Sequence, residues 1–586
     1  MTVEANIREA LSRALASFGT VVSPDDIPLE CSNDLKNGDY SSVVAKKILA
    51  LERKPKKADL EQSGVVSKQE AKELSRMIKL PSNNPDELAQ RLVAALGDIP
   101  GVKQITPASG FINFYLADSV FAQSLQNIID TPDEWGKNDL HKGERIMVEY
   151  TDPNPFKEFH IGHLMSNAIG ESIARLCEFS NAEVKRANYQ GDVGPHVAKA
   201  IWGIQKLGVD AADSAALGKA YAAGASAYEA DELAKAEIDA INAKVYDRSD
   251  AKVNELYAKG RTASLKHFEE IYEMLGTKFD HYFFESETAP RGLKLVHAHE
   301  DIFEKSDGAI VYKGEQDGLH TRVFITSRST PTYETKDLGL LEFKQERGKL
   351  DESITVTAHE QADYFKVMIA AAKHLPEVKD IASKTKHVTH GMMRFASGKM
   401  SSRTGNVITG ESLLGDVAEA AKERAAESRA DDPEQLSHDI AVAAIKYQIL
   451  RQASGKDIVF DRARALSLEG DSGPYIQYTY ARATQVVARA KSENIEPSVD
   501  INATAIDLVR LMYRFPGAVE RAAQGLEPHT VANFLIEFAA SFNRWYAEVR
   551  IVEGADASHK VAITEAARIT LKNGLYILGI PAPEKM

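Results

Sequence analysis

Two short stretches of this chain carry side chains suited to holding an anion. Residues 159–167 read FHIGHLMSN, with His160 and His163 three apart around Gly162, directly after a proline-broken loop. Three chemistries are open to such a pair. As a metal clip it would need three or four ligands with carboxylates or cysteines nearby, and nothing here resembles HExxH. His387 and His390 repeat the spacing and also lack companions. As a plain helix start, the histidines would be solvated. As a phosphate site, a strand feeding a loop that opens a helix points backbone N–H groups and the positive helix end at one spot. Gly162 would let a ligand approach the backbone, and two imidazoles could donate to phosphate oxygens as charge builds. No G-x-x-x-x-G-K-[ST] and no G-x-G-x-x-G occurs, so a nucleotide here would be held without either fingerprint.

The second stretch is GKMSSRTGN, residues 398–406. Gly398 and Gly405 bracket a polar loop with Lys399, Ser401, Ser402 and Arg403. Ammonium, guanidinium and hydroxyl donors together could close over phosphates, although a solvated turn is the plainer reading of the loop alone.

These residues need elements to position them. RIMVEY, residues 145–150, reads as a buried strand, and TDPNP ends it because Pro153 and Pro155 cannot continue a ladder. Leu164, Ala168, Ile169, Ile173 and Leu176 then recur at helical spacing, and EVKRANYQGDVG follows as strand and turn. Strand–loop–helix–strand opens an α/β nucleotide-binding unit. Residues about 205–275 read as a helical insertion, with Ala234, Ile238, Ile241 and Val245 on one face and Leu265, Phe268, Tyr272 and Leu275 on another, closed by Gly276. GAIVYK, RVFIT and SITVTA read as further strands of a parallel sheet, separated by helices. The N-terminal MTVEANIREALSRALASFG reads as an amphipathic helix and not as a signal peptide, and residues 1–117 end in the strand-like GFINFYL. From about residue 435 the pattern is helical to the end.

At 586 residues the chain has length for roughly three or four domains. Its 44% hydrophobic and 27% charged residues are ordinary for a globular protein, and no apolar run is long enough for a membrane span. Cys31 and Cys177 are the only cysteines, which excludes a disulfide framework and suits a reducing cytoplasm. A net charge of −14 argues against indiscriminate polyanion binding but allows an RNA met by a local patch. Residues 461–586 are almost charge-balanced and interleave Arg482, Arg489 and Arg544 with Tyr475, Tyr478, Tyr480, Phe542, Trp545 and Tyr546. Such side chains can stack on splayed bases, though most aromatics at helical spacing are core.

His160-Ile161-Gly162-His163 followed by Lys399-Met400-Ser401-Ser402-Arg403 resembles the signature pair of class I aminoacyl-tRNA synthetases. Longer stretches resemble the arginyl-tRNA synthetase family over essentially the whole chain: VEYTDPNPFKEFHIGHLMSNAIGE, TPTYETKDLGL, FDRARALSLEGDSGPYIQYTYARA, GFINFYL and LGIPAPEKM. The resemblance implies a multidomain α/β protein. It comprises an N-terminal α+β add-on domain over 1–117 and a Rossmann-type parallel-sheet catalytic domain over 118–450, with a helical insertion near 200–290. An all-α anticodon-binding domain over 451–586 completes it. It implies ATP-dependent activation of L-arginine to the adenylate, with Mg2+ accompanying ATP as substrate and no protein-bound metal or organic cofactor. Transfer to tRNA(Arg) follows, in a monomeric, cytoplasmic enzyme without a membrane.

Under that resemblance Glu149 and Asp337 match the family's acidic pair for the guanidinium, Tyr333 its wall, Gln361 a further contact, and Asn154 the residue near the amino acid's own polar groups. His160 and His163 would serve the phosphates, Gly162 would admit the nucleotide, and Gly391 and Met392 would lie along the adenine. Lys399, Ser401 and Ser402 would join them on ATP. Ser402 stands where the loop's usual second lysine would be, and Lys157 takes the substituting position upstream, sharing the catalytic work with Lys399 and Arg403. GDVGP, residues 191–195, departs from the family's more usual GDWG. Asn113, Tyr546 and Met586 match tRNA contacts. A synthetase for another amino acid, and a non-catalytic RNA-binding paralogue, are the alternatives.

Overall fold

The structure, a computed structural model, describes residues 2–32, 34–52, 82–396, 409–428 and 430–586. The chain forms two compact units, the first of residues 1–132, 490–514 and 548–566, the second of 133–489, 515–547 and 567–586.

The second unit is built on a parallel sheet. Arg145–Glu149 runs through its centre, with Glu183–Gln190 and His281–Phe284 to one side and Glu352–Ala358 and Thr385–His390 to the other. Numbered along the chain the order is 3-2-1-4-5, the doubly wound arrangement. Successive strands are added on one side of the first and then, from the fourth, on the other, and the crevice at the carboxyl ends of the first and fourth is where such sheets bind ligands. Ile146, Met147 and Val148 are buried, as expected of a strand covered on both faces. The helix Ile161–Phe179 crosses over this sheet closely enough that a Cβ on Gly170 would lie 2.3 Å from Tyr150.

Between the second and third strands the chain makes the helices Ser214–Ala230, Glu232–Asp247 and Ala251–Met274. Ala234, Ile238, Ile241 and Val245 are buried there, as their spacing predicts, and so are Phe268, Tyr272 and Leu275. The loop leading to the histidines is seated on this insertion. Phe156 N donates to Ser264 Oγ at 2.9 Å, and a side chain on Gly260 would strike the Phe156 ring.

One expectation is corrected. Only SITVTA joins the parallel sheet. GAIVYK and RVFIT supply Ala309–Tyr312 and Arg322–Ile325, which pair antiparallel with each other in a separate three-stranded sheet, Glu304–Ser306 pairing antiparallel with the other side of Ala309–Tyr312. No α-helix separates these strands, and without a crossover consecutive strands pair antiparallel.

The first unit holds the helix Val3–Ser17 and a four-stranded antiparallel sheet that includes Phe111–Leu116. Buried Asp39 accepts from Leu116 N at 2.8 Å and pairs with Arg510 Nη1 at 2.9 Å. Among the described residues no helix is long and apolar enough to cross a membrane.

Candidate active site

A cavity of about 360 Å³ opens at the carboxyl ends of the first, second and fourth strands. Glu149, the last residue of the central strand, is nine-tenths buried on its wall. Asp337 and Tyr333 come from the first turns of the helix Tyr333–Glu346, Gln361 from the short turn after the fourth strand, and Asn154 from the loop after the first. These five sequence-predicted residues therefore share one cavity. Tyr333 is 65% exposed and stands at the mouth, whereas Asp337 is buried and accepts from the Tyr364 phenol at 3.1 Å. A Cβ on Gly191 would come within 2.2 Å of Asn154 Oδ1, so only glycine leaves the asparagine its place.

Sequence reading missed several lining residues. Lys344, fully enclosed, reaches Glu149 Oε2 at 2.9 Å, Thr355 Oγ1 at 3.2 Å and Ser353 Oγ at 3.3 Å. Lys336 is paired with Glu285. Asp152 also lines the cavity, its Oδ1 accepting from Tyr189 N at 2.7 Å. Burial raises the Asp337 and Asp152 carboxyls well above the ordinary carboxylate range, and in each case repulsion from Glu149 adds to it.

The second part of the site is the start of the helix Ile161–Phe179. His160 is its N-cap residue, and its N–H donates to His163 Nδ1 at 3.2 Å. That bond fixes the His163 proton on Nε2. The two rings stack at 3.5 Å between centroids, and a Cβ on Gly162 would press on the His160 ring at 3.0 Å. Desolvation first, then Lys157 and His390, holds His160 down to about 4; desolvation and His160 hold His163 well below its usual value. Both are neutral imidazoles near pH 7, each offering one N–H. Lys157 lies over the Tyr221 ring at 5.3 Å, and burial and then Lys199 lower its ammonium's affinity for a proton. Thr409 makes a β-bridge to His160, and Gly410 N donates to Phe159 O at 2.7 Å. Lys399, Ser401, Ser402 and Arg403 lie outside the described residues.

His160 and His163 have no third ligand beside them: among the described residues no group of three or more His, Cys, Asp or Glu side chains is gathered as a metal would need. Gly391 and exposed Met392 follow the fifth strand, with Met392 N bonded to Asp457 Oδ1 at 2.9 Å. Asn113 is buried in the sheet of the first unit and accepts from Ser41 Oγ at 2.9 Å. Tyr546 is 37% exposed, and the Arg482 guanidinium lies over its ring at 4.9 Å and over Tyr478 at 4.6 Å. Met586 is partly buried.

The chain is similar to known proteins over nearly its whole length. Residues 124–462 match the family profile described as class I tRNA synthetases (R), catalytic domain; residues 2–116 match the arginyl-tRNA synthetase N-terminal domain, and 476–586 the DALR anticodon binding domain. A curated arginine–tRNA ligase of Clostridium kluyveri is 30% identical over 495 residues, covering 81% of this chain and 87% of the relative. Arginine–tRNA ligase 1 of Bacillus cereus is 28% identical, covering 96% of this chain and all of its own. Among solved structures, arginyl-tRNA synthetase of Thermus thermophilus superposes with a TM-score of 0.77 at 23% identity, covering 99% of each chain. That of Plasmodium falciparum gives 0.74 at 20% identity, covering 100% of this chain and 98% of the other. At those identities the two structures speak for the fold.

Proposed function

The chain belongs to the class I arginyl-tRNA synthetases, and from that premise we propose how its residues divide the work. It activates L-arginine with ATP to arginyl-adenylate, releasing pyrophosphate, and transfers the arginyl group to the 3′ end of tRNA(Arg), releasing AMP. The observation that supports the residue assignment best is the acidic cavity beside a helix N-terminus capped by two neutral imidazoles, at the reversal point of the sheet.

Asp337 takes the guanidinium, a pairing that a planar fork of donors makes bidentate and an ammonium cannot. Glu149 forms the floor with Lys344 beside it, Tyr333 walls the mouth, and Gln361 and Asn154 hold the polar atoms nearer the reacting carboxylate. A shorter or neutral side chain would leave Asp337 buried without a cation, which is what rejects it. The substrate carboxylate attacks the α-phosphate in line. This step needs no protein nucleophile, only positioning and charge stabilisation. His160 and His163 each donate one N–H to phosphate oxygens, and Lys157 supplies charge upstream of them. Lys399, Ser401, Ser402 and Arg403 are assigned to ATP with them, Gly162 to admitting the nucleotide, and Gly391 and Met392 to the adenine.

Mg2+ is assigned to ATP as its counterion. Domain limits near residues 117 and 450, with the insertion at about 200–290, belong to this proposal, as does a monomeric state, and so does a cytoplasmic location, which suits a chain with two cysteines in 586 residues. Tyr546, beside the Arg482 guanidinium, and Met586 are assigned to tRNA. Asn113, buried and accepting from Ser41 Oγ, is assigned to tRNA with them.

The test is arginine-dependent exchange of labelled pyrophosphate into ATP, with and without tRNA(Arg). Exchange that requires tRNA fits a loop lacking its second lysine, since Ser402 offers no charge there. Exchange without tRNA keeps the enzyme and removes that explanation. No exchange in either case, from folded protein, would point to the non-catalytic paralogue.

A further inference from the structure

The cavity's charges do not balance, and the imbalance has the form of its substrate. Four carboxylates line it: Glu149, Asp152, Glu285 and Asp337. Lys344 at 2.9 Å answers Glu149, and Lys336 answers Glu285. Among the described residues neither Asp337 nor Asp152 forms an ion pair of its own: their hydrogen bonds come from neutral groups, the Tyr364 phenol at 3.1 Å and the Tyr189 amide at 2.7 Å, and they share with Glu149 the charge of Lys344. Two carboxylates are thus left over, and arginine brings two cations, a guanidinium and an α-ammonium.

The placement tells the two apart. Asp337 projects from the wall helix Tyr333–Glu346. Asp152 sits in the turn that leaves the central strand towards Asn154 and His160, the side on which the reacting carboxylate, and hence the α-carbon, must lie. The turn is an unusual one: Thr151 and Asp152 have φ of +81° and +48°, a left-handed backbone that non-glycine residues seldom adopt. It is held from the helix behind, with Thr151 N donating to Ser166 Oγ at 2.9 Å and Asn167 Nδ2 donating to Thr151 Oγ1 at 3.1 Å. Strained backbone of this kind persists where its surroundings over-determine it, and it aims the following side chain.

We propose that Asp152 is a substrate-binding residue, whose carboxylate receives the α-ammonium group of arginine while Asp337 receives the guanidinium. The assignment rests on the arginine reading of this cavity. Both carboxyls are raised by burial and by Glu149, so each gains from a cation brought beside it.

The variant Asp152→Asn tests it. Its amide oxygen still accepts from Tyr189 N, and asparagine tolerates the left-handed region at least as well as aspartate. Titration calorimetry of the full chain would use three ligands: L-arginine, agmatine (both cations, no carboxylate) and 5-guanidinopentanoate (no amino group). The variant should bind arginine and agmatine about ten- to a hundredfold more weakly, the loss of one charge-assisted hydrogen bond, and 5-guanidinopentanoate as the wild type does. Equal weakening for all three ligands, or unchanged arginine affinity, overturns the assignment. Wild-type protein that binds none of the three overturns it together with the arginine pocket itself.

Discussion

At the scale of single residues, recognition depends on which carboxylates meet the substrate. Asp337→Asn should raise the KM for arginine in pyrophosphate exchange by about 10- to 100-fold, with a smaller change in kcat, because the lost contact exists before the transition state as well as in it. An equal fall in kcat and no change in KM would place Asp337 outside the pocket's recognition. A second expectation follows from the raised carboxyls of Asp152 and Asp337. A bound cation favours their ionised forms and lowers their proton affinity, so arginine binding should release protons and should tighten as pH rises through the range in which they titrate. Calorimetry in two buffers of different ionisation enthalpy reads the proton count directly; uptake in place of release would contradict the charge balance. Glu149, Asp337, His160 and His163 were legible in the sequence because each sits in a stretch long enough to be recognised. Lys344 was not, since its partner Glu149 lies 195 positions away and nothing local marks the pairing. Asp152 was in plain view in TDPNP, but only the left-handed turn shows which way it faces.

At the scale of elements, the insertion and the C-terminal helices are joined by one buried cation. Lys446, on the helix Pro433–Leu450, donates to Leu275 O at 2.6 Å and Gly579 O at 2.8 Å, so it caps the end of the helix Ala251–Met274 and holds the last residues of the chain. Complete burial, with repulsion from Arg175, pushes its ammonium down to about 7. The unfolded chain, with an ordinary lysine near about 10.4, binds more protons between those values. Stability should therefore rise with pH across that window, by as much as a few kcal/mol from this residue. Lys446→Met strands two carbonyls and removes the titration, so the wild type's advantage in melting temperature should widen from pH 7 to pH 10. A constant difference would refute the linkage. Helices were the most legible elements: the apolar periodicity at Ala234, Ile238, Ile241 and Val245 matches a buried face, because a helix reports its own core side locally. The strands at 309–312 and 322–325 were read correctly as strands and assigned to the wrong sheet. Period-two alternation identifies an extended segment but carries no information about its neighbour.

At the scale of the whole molecule, packing joins stretches that lie far apart in the chain. Residues 490–514 and 548–566 pack in one compact unit with residues 1–132, and Arg510 answers the buried Asp39 there. No pattern in either stretch announces a partner more than four hundred residues away. The net charge of −14 makes tRNA binding a matter of local patches, so it should weaken with salt by only the few phosphates those patches meet. The most direct measurement is ATP-dependent attachment of labelled arginine to tRNA(Arg) by the full chain, with lysine as the competing amino acid. Charging with arginine, none with lysine, and slower arginine charging by Asp337→Asn at substrate levels that just saturate the wild type are the expected results. Charging with lysine, or none at all from folded protein that binds both arginine and tRNA, would contradict the arginine reading.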